Sequence, residues 1–329
     1  MTGGAGYIGS HICKALRACG VVPVSFDNLS SGNRWAVSWG PLVVGDVRDQ
    51  AQLAAAFAEY RPRAVIHLAG LISVGQSVHD PSSYYSNNLI GIWTLLEAMR
   101  RHEITQLVFS SSASVYGEPE NMPIREVHPR RPMSPYAMSK LASERMLADY
   151  AQAYGVRSVS LRYFNAAGAD PDAMIGEAHH PETHLVPLVI RACLVPEARL
   201  DLFGTDYPTP DGTAVRDYVH VSDLADAHVR ALDYLWNGGE TTALNVGTGV
   251  GYSVRQVIEA TTRLVGRSVR VHEAARRSGD SASLVADPAE AQRVLGWRPR
   301  NADIEAIVES ALVWHRREGF GAEIRRTER

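Results

Sequence analysis

Tyr136 and Lys140 stand four residues apart in Tyr136-Ala137-Met138-Ser139-Lys140, directly behind Pro135. On a helix such a pair shares one face, and a proline suits the first helical position. A tyrosine with a pKa of about 10 is a poor base at neutral pH. A lysine ammonium one turn away, joined by a second nearby cation, favours the phenolate and brings the phenol toward its working range. Alone, this spacing is common on helix surfaces. It gains meaning from Phe109-Ser110-Ser111-Ser112, which closes a short apolar run. Doubly wound sheets place their ligands at the C-terminal ends of buried strands. A hydroxyl at Ser112 could there hydrogen-bond the oxygen whose proton the tyrosine takes.

A second constellation opens the chain. Gly3-Gly4-Ala5-Gly6-Tyr7-Ile8-Gly9 runs straight into a helical pattern. Glycines at 3, 6 and 9 make a tight turn, let backbone N–H groups approach a pyrophosphate, and pack helix on strand. Asp27 ends the next strand, eighteen residues after Gly9. A carboxylate there accepts the adenosine ribose hydroxyls and repels a 2′-phosphate, which favours NAD over NADP. The strand that should feed this turn has no room, since Met1 sits two residues before Gly3. A central parallel strand is hard to omit without stranding its neighbours' ladder groups. Either the natural start lies upstream or the fold tolerates the loss of its first strand; the expectation is the former.

The elements that must position these residues alternate. Val21–Asp27, Leu42–Asp46, Ala64–Gly70, Gln106–Ser112 and Ser158–Asn165 read as strands buried on both faces. Between them lie helical stretches at Ser10–Ala18, Gln50–Tyr60 after an Asp49 cap, Tyr84–Arg101 and Tyr136–Tyr154. The fold class is therefore α/β, a doubly wound parallel sheet. Residues 166–182, rich in Gly, Pro, Asp and His, read as a long surface loop. Beyond it come Leu185–Leu194, Leu200–Phe203, Asp217–Val221, a helix from a Ser222 cap to Trp236, Ala243–Val246, Ser253–Val265 and Asp303–Glu318. This gives a Rossmann domain over 1–165 and a smaller, partly interleaved C-terminal α/β substrate domain over 166–329. The tail Arg325–Arg329 reads as a frayed end.

The 33 basic and 36 acidic residues leave a formal charge of −3, so no global basic field argues for nucleic acid or an anionic membrane. No apolar run approaches a bilayer span, and no signal peptide is visible. Cys13, Cys19 and Cys193 form no CxxC and read as reduced thiols in a cytoplasmic protein.

Thr2–His11, Asp27-Asn28-Leu29, His67-Leu68-Ala69-Gly70, Ser110–Gly117 and Tyr136-xxx-Lys140 together resemble the extended short-chain dehydrogenases. Within that group, Arg162-Tyr163-Phe164-Asn165 and Gly212–Val221 resemble the UDP-glucose (UDP-galactose) 4-epimerases. The likeness runs from Thr2 to about Arg298. It implies tightly held, unconsumed NAD and a hexose 4-epimerisation in which Tyr136 deprotonates the sugar 4-hydroxyl. Ser112 would share the proton's hydrogen bond, and Lys140 would hold the nicotinamide ribose. Further cofactor contacts implied by the resemblance are Tyr7, Ile8, Asn28, Asp46, Val47, Leu68, Ala69, Gly70, Asn87 and Phe164. Asn165, His184, Leu185, Arg216, Arg277 and Asp280 match positions that hold the UDP-sugar. An arginine pair suits a diphosphate because guanidinium is planar and permanently charged. The apolar face of Tyr84–Arg101 is either core or a dimer helix, and pairing of two chains through it, as a homodimer, is a family-based expectation.

Ile72 stands where family patterns carry lysine, which removes that side chain as a cofactor contact. Leu284 falls where some members carry a bulky tyrosine, so a roomier pocket could admit N-acetylated sugars. His179, His180 and His184 with Glu177 and Glu182 could ligate a metal by residue type, but their spacing fits no standard helix pair. The expectation is a solvated loop and no metal. Asn28-Leu29-Ser30 matches a glycosylation sequon that a cytosolic chain would never present to the machinery. Related dehydratases and decarboxylases need a carboxylate just after the serine motif, where this chain has Ala113 and Ser114. A UDP-pentose 4-epimerase and a non-catalytic NAD-binding regulator stay open as alternatives.

Overall fold

A computed structural model of the chain describes residues 1–277 and 279–319; the tail at Arg325–Arg329 lies outside them. Strands β1 (Ser25–Asp27), β2 (Leu42–Val44), β3 (Val65–His67), β4 (Gln106–Ser112) and β5 (Arg157–Tyr163) alternate with helices α1 (Tyr7–Ala18), α2 (Gln50–Tyr60), α3 (Val74–His79), α4 (Pro81–Tyr84), α5 (Gly91–Arg101) and α6 (Pro135–Tyr154). After β6 (Asn165–Ala167) come α7 (Leu185–Leu194), β7 (Leu200–Phe203), β8 (Val215–His220), α8 (Val221–Trp236), β9 (Thr242–Val246), β10 (Gly251–Ser253), α9 (Val254–Val265), β11 (Val271–Ala274), β12 (Ser283–Leu284), α10 (Ala289–Leu295) and α11 (Ile304–Glu318).

The strand expected to be missing is supplied in miniature. Thr2 bridges Phe26 on one side and His67 on the other, both in parallel sense. Thr2 N–H donates to Ile66 O, Gly3 N–H to Phe26 O, Leu68 N–H to Thr2 O and Phe26 N–H to Met1 O. These bonds join the β1–β2 pair to the parallel set β3-β4-β5-β9. A few ladder bonds on each side meet the need of the neighbouring edges, which a missing strand would have left unpaired.

On one face α1 and α8 bury Ile12, Leu16, Leu224 and Leu232 against Val108, Val159 and Leu244. On the other, α2, α5 and α6 bury Leu53, Phe57, Leu95, Met99 and Leu147 against Phe26, Leu107 and Phe109. Strand β9 and helix α8 thus return from beyond residue 165 to complete the first sheet. The remaining unit packs α7, α9 and α11 around β8 through Val186, Ile190, Val257, Ile307 and Leu312.

Several boundaries differ from the sequence reading. The run Ser158–Asn165 is two strands, because the chain leaves β5 at Phe164 and pairs Asn165–Ala167 with β8. The stretch Tyr84–Arg101 contains a π-helical turn over Tyr85–Ile90, the kind of local widening often found at functional sites. Helix α8 is capped by the His220 side chain, which accepts from Ser222 N–H, and not by Ser222 itself. The 166–182 segment is no surface loop: Ala169, Ala173, Ile175, Glu177 and Ala178 are all buried.

Candidate active site

Helix α6 begins where Ser134 accepts from Ala137 N–H and Pro135 fixes the first turn; it ends at Gly155 in the left-handed region. This long helix presents Tyr136 and Lys140 to the C-terminal end of β4, where Ser112 sits. Tyr136 and Lys140 are buried. Lys140 Nζ donates to Ser110 O at 2.7 Å and lies 5.0 Å from the Phe109 ring centre and 5.9 Å from that of Tyr136. Burial pushes the Lys140 ammonium down to about 8, opposed by Glu144 one turn further along. Burial pushes the Tyr136 phenol up, while a hydrogen bond with Ser112 pulls it down. The expected lowering by Lys140 is therefore not what governs Tyr136 in the chain by itself; desolvation of the phenolate outweighs it. Ser112 Oγ also accepts from Ser114 N–H at 3.2 Å and from Ser114 Oγ at 3.0 Å.

Beneath this group lies a polar network that the sequence reading did not anticipate. Arg162 donates to both Glu144 oxygens, at 2.9 and 2.6 Å, and Ser111 Oγ donates to the same carboxylate at 2.6 Å. Arg162 also reaches the Tyr116 hydroxyl at 2.8 Å, which donates to Asn245 Oδ1 at 2.7 Å. Both charges are almost fully buried. Tyr163 hydrogen-bonds Ser110 from the neighbouring strand. The only advance signal was the Arg162-Tyr163-Phe164-Asn165 motif itself.

The glycine turn has the geometry its sequence requires. Gly3 has φ +73°, and a Cβ there would press to 2.7 Å from Ala69 N. A Cβ on Gly9 would lie 2.0 Å from Gly3 O, whereas one on Gly6 meets nothing nearer than 3.4 Å. Gly6 caps α1 without any side-chain hydrogen bond, so the N–H groups of the first turn, at Tyr7, Ile8 and Gly9, keep no side-chain acceptor there. Asp27 is buried, accepts from Ala5 N–H at 3.0 Å and Leu29 N–H at 2.9 Å, and is held above the usual carboxylate range by that burial. A free helix N-terminus faced by small residues, beside a buried carboxylate, fits a dinucleotide's diphosphate and ribose.

The other expected cofactor positions are spread over several elements. Asn28 Nδ2 lies 3.3 Å from Asp46, whose carboxyl the Arg48 guanidinium draws down to about 2. Val47 is buried against the α2–α5 layer. Leu68, Ala69 and Gly70 follow β3 directly. Of the two neighbouring asparagines, Asn88 grips Leu71 through N–H and C=O and reaches Ser139, while Asn87 donates to Ser83 O at 3.2 Å. Phe164 is buried with Tyr116, Ile124 and Ala286.

The substrate-side positions gather on shorter elements. Asn165 opens β6 opposite Tyr218, and His184 and Leu185 stand at the start of α7. Arg277 donates to Asp280 at 2.9 Å and lies 4.9 Å over the Phe203 ring; Arg216 reaches the same carboxylate at 4.0 Å. Asp217, next to Arg216, is fully buried and accepts from Thr248, Gly249 and Ala286 backbone N–H groups, which ties two separate loops to β8. Phe203 was not singled out in the sequence; nothing in its surroundings there marks it. Leu284 lies in β12 beside Arg216, packed on the Tyr116–Phe164 cluster.

These two halves, a glycine-rich pyrophosphate turn and a Ser/Tyr/Lys centre on one parallel sheet, define a nucleotide-dependent enzyme of the doubly wound class. The chain belongs to the NAD dependent epimerase/dehydratase family, whose profile matches residues 1–247. It is 50% identical over 321 residues to a UDP-glucose 4-epimerase of Rhizobium meliloti, covering 98% of each chain. The Brucella ovis UDP-glucose 4-epimerase in complex with NAD superposes with a TM-score of 0.92 at 48% identity, over 95% of this chain and 97% of that one. The Bifidobacterium longum UDP-glucose 4-epimerase in complex with NAD+ and UDP gives 0.93 at 37% identity, over 97% and 98%.

Proposed function

We propose that this chain is an NAD-dependent 4-epimerase of UDP-hexoses, interconverting UDP-glucose and UDP-galactose through a transient 4-keto sugar. The convergence of Ser112, Tyr136 and Lys140 at the end of β4 carries this reading, and full-length likeness to UDP-glucose 4-epimerases supports it. Tyr136 takes the proton of the sugar 4-hydroxyl and later returns it, acting as base and then acid. Ser112 hydrogen-bonds the same sugar oxygen and holds it toward the phenol. Lys140 places a positive charge under that exchange. NAD bound at the glycine turn supplies a reversible acceptor for the C4 hydride. The first turn of α1 and Asp27 hold its diphosphate and ribose, with Asn28, Asp46, Val47, Asn87 and the Leu68–Gly70 backbone around the rest. Arg216 and Arg277 clamp the substrate diphosphate, and Asn165, Leu185 and Asp280 line the same side, with His184 standing next to Leu185 at the start of α7.

The protein works in this reading as a cytoplasmic homodimer. Among the described residues no helix is long and apolar enough to cross a membrane. Ile90 and Trp93, both about half exposed, offer an apolar stripe along the π-turn and α5 for a second copy. The direct test is a coupled assay with UDP-galactose and no added NAD. UDP-glucose formation is expected. Failure with UDP-hexoses and turnover of UDP-xylose would move the reading to a pentose epimerase, and silence with all three to a binder.

A further inference from the structure

Glu177, His179, Glu182 and His184 come from one short segment and meet beside Tyr7. Glu177 is buried and its oxygen lies 2.6 Å from His184 Nδ1 and 3.1 Å from His179 Nδ1. Glu182 lies 3.2 Å from His184 Nδ1 and 4.0 Å from His179 Nδ1. One donor atom from each of the four falls within 4.8 Å of all the others. His180, between them, is exposed and takes no part. The solvated loop expected from sequence is thus a packed cluster: the Trp314 indole donates to Glu177 O at 2.9 Å, and the Tyr7 ring stands edge-on to His179.

The charge arithmetic of this cluster is unusual. Two carboxylates sit together, one of them buried, and among the described residues neither forms an ion pair with lysine or arginine. They lie beside the first turn of α1, which holds Tyr7 through the Tyr7 hydroxyl to Gly168 O at 2.6 Å. Two histidine rings with centres 5.1 Å apart cannot both carry a proton without repelling each other. One divalent ion satisfies both carboxylates and leaves both imidazoles neutral. Two nitrogens and two oxygens suit a borderline ion, whereas calcium and magnesium prefer all-oxygen shells. Tetrahedral zinc, with bonds of about 2.0–2.2 Å, sets its donors roughly 3.3–3.6 Å apart, and the four histidine–carboxylate separations of 2.6 to 4.0 Å bracket that spacing.

We propose that Glu177, His179, Glu182 and His184 form a closed, four-ligand site for zinc or a closely similar divalent ion. With all four positions taken by protein, the ion is structural. It staples the 168–184 segment between Tyr7 and the start of α7, so that both the cofactor turn and the substrate side rest on it. The proposal is independent of the epimerase reading, since metal content does not depend on turnover.

The test is metal analysis of untagged, gel-filtered protein, before and after chelation, with Zn²⁺ alone then titrated back. About one zinc per chain is expected, with a lower melting temperature after chelation that added zinc restores. Co²⁺ in its place should give the strong visible absorption of a tetrahedral site. His179→Ala and Glu182→Gln should lose the metal while keeping the far-ultraviolet dichroism of the wild type. Wild-type protein that holds no metal, and after chelation binds Zn²⁺ no better than these variants with no change in melting, overturns the proposal.

Discussion

The hydride-side group and the diphosphate-side group are built on opposite plans. Ser112, Tyr136 and Lys140 hang from a long strand and a long helix, and the two titratable side chains are buried, with the lysine satisfied by a backbone carbonyl. Arg216, Arg277 and Asp280 hang from short strands and loops, and Arg277 is more than half exposed. The first group pays for burial with shifted proton affinities, which is what a base needs. The second keeps charges that never change, shared on one carboxylate, which is what an anion clamp needs. Full burial goes to the residues that move a proton, whereas the clamp grades from an Arg216 side chain only 13% exposed to an Arg277 side chain 57% exposed.

Tyr136→Phe should break the first group most completely. We expect epimerisation to fall by at least about 10²–10⁴-fold, measured by the coupled assay, while bound NAD measured after denaturation stays near wild type. Retained turnover would remove Tyr136 from its role.

Glu144→Gln strips the buried Arg162 of its partner. It should cost about 3–5 kcal/mol of stability by chemical denaturation. A loss under 1 kcal/mol would mean that the hydride-side group does not depend on the network beneath it.

Arg216→Ala and Arg277→Ala sharpen the contrast. Both should raise KM with kcat little changed, the mostly buried Arg216 by about 10–100-fold and the exposed Arg277 by less. Equal effects would show that exposure does not grade the clamp.

His11 and His228 are held by burial at about 4, and His67 at about 3. Their folded values lie below the unfolded one, so the unfolded chain binds more protons as pH drops from about 6.5 toward 4, and stability falls across that window. His228→Gln should flatten the decline in melting temperature between pH 6.5 and 4.5. An unchanged slope would dismiss His228 as a contributor.

The smallest effect concerns the sugar. Leu284→Tyr should lower turnover of UDP-N-acetylglucosamine more than that of UDP-galactose. Absence of UDP-N-acetylglucosamine turnover in both proteins would sink the roomy-pocket reading.

The same contrast governs what could be read from sequence. Gln106–Ser112, Gln50–Tyr60 and Leu185–Leu194 were legible because apolar runs and caps are local signals. So was the Tyr136/Lys140 spacing, which a helix converts directly into geometry. The burial of residues 169–178 was not, because their polar composition looks like a loop and the groups that cover them, Trp314 of α11, Trp35 and Lys14 of α1, come from far along the chain. The Glu144–Arg162 pair escaped for a similar reason: an i,i+4 step from Lys140 is visible, but a partner on the following strand, eighteen residues on, is not. The filling of the first strand position by Met1–Gly3 depends on neighbours more than twenty residues off.

One carboxylate constrains how this protein could change its redox currency. Asp27 is the residue expected to turn away a 2′-phosphate, yet its two oxygens also tie Ala5 and Leu29, and a Cβ on Gly32 would come within 2.9 Å of it. Replacing it to admit a phosphorylated cofactor would remove the acceptors that hold the glycine turn in shape. Cofactor preference is thereby coupled to the folding of the loop, and no single substitution at Asp27 can alter the one and spare the other.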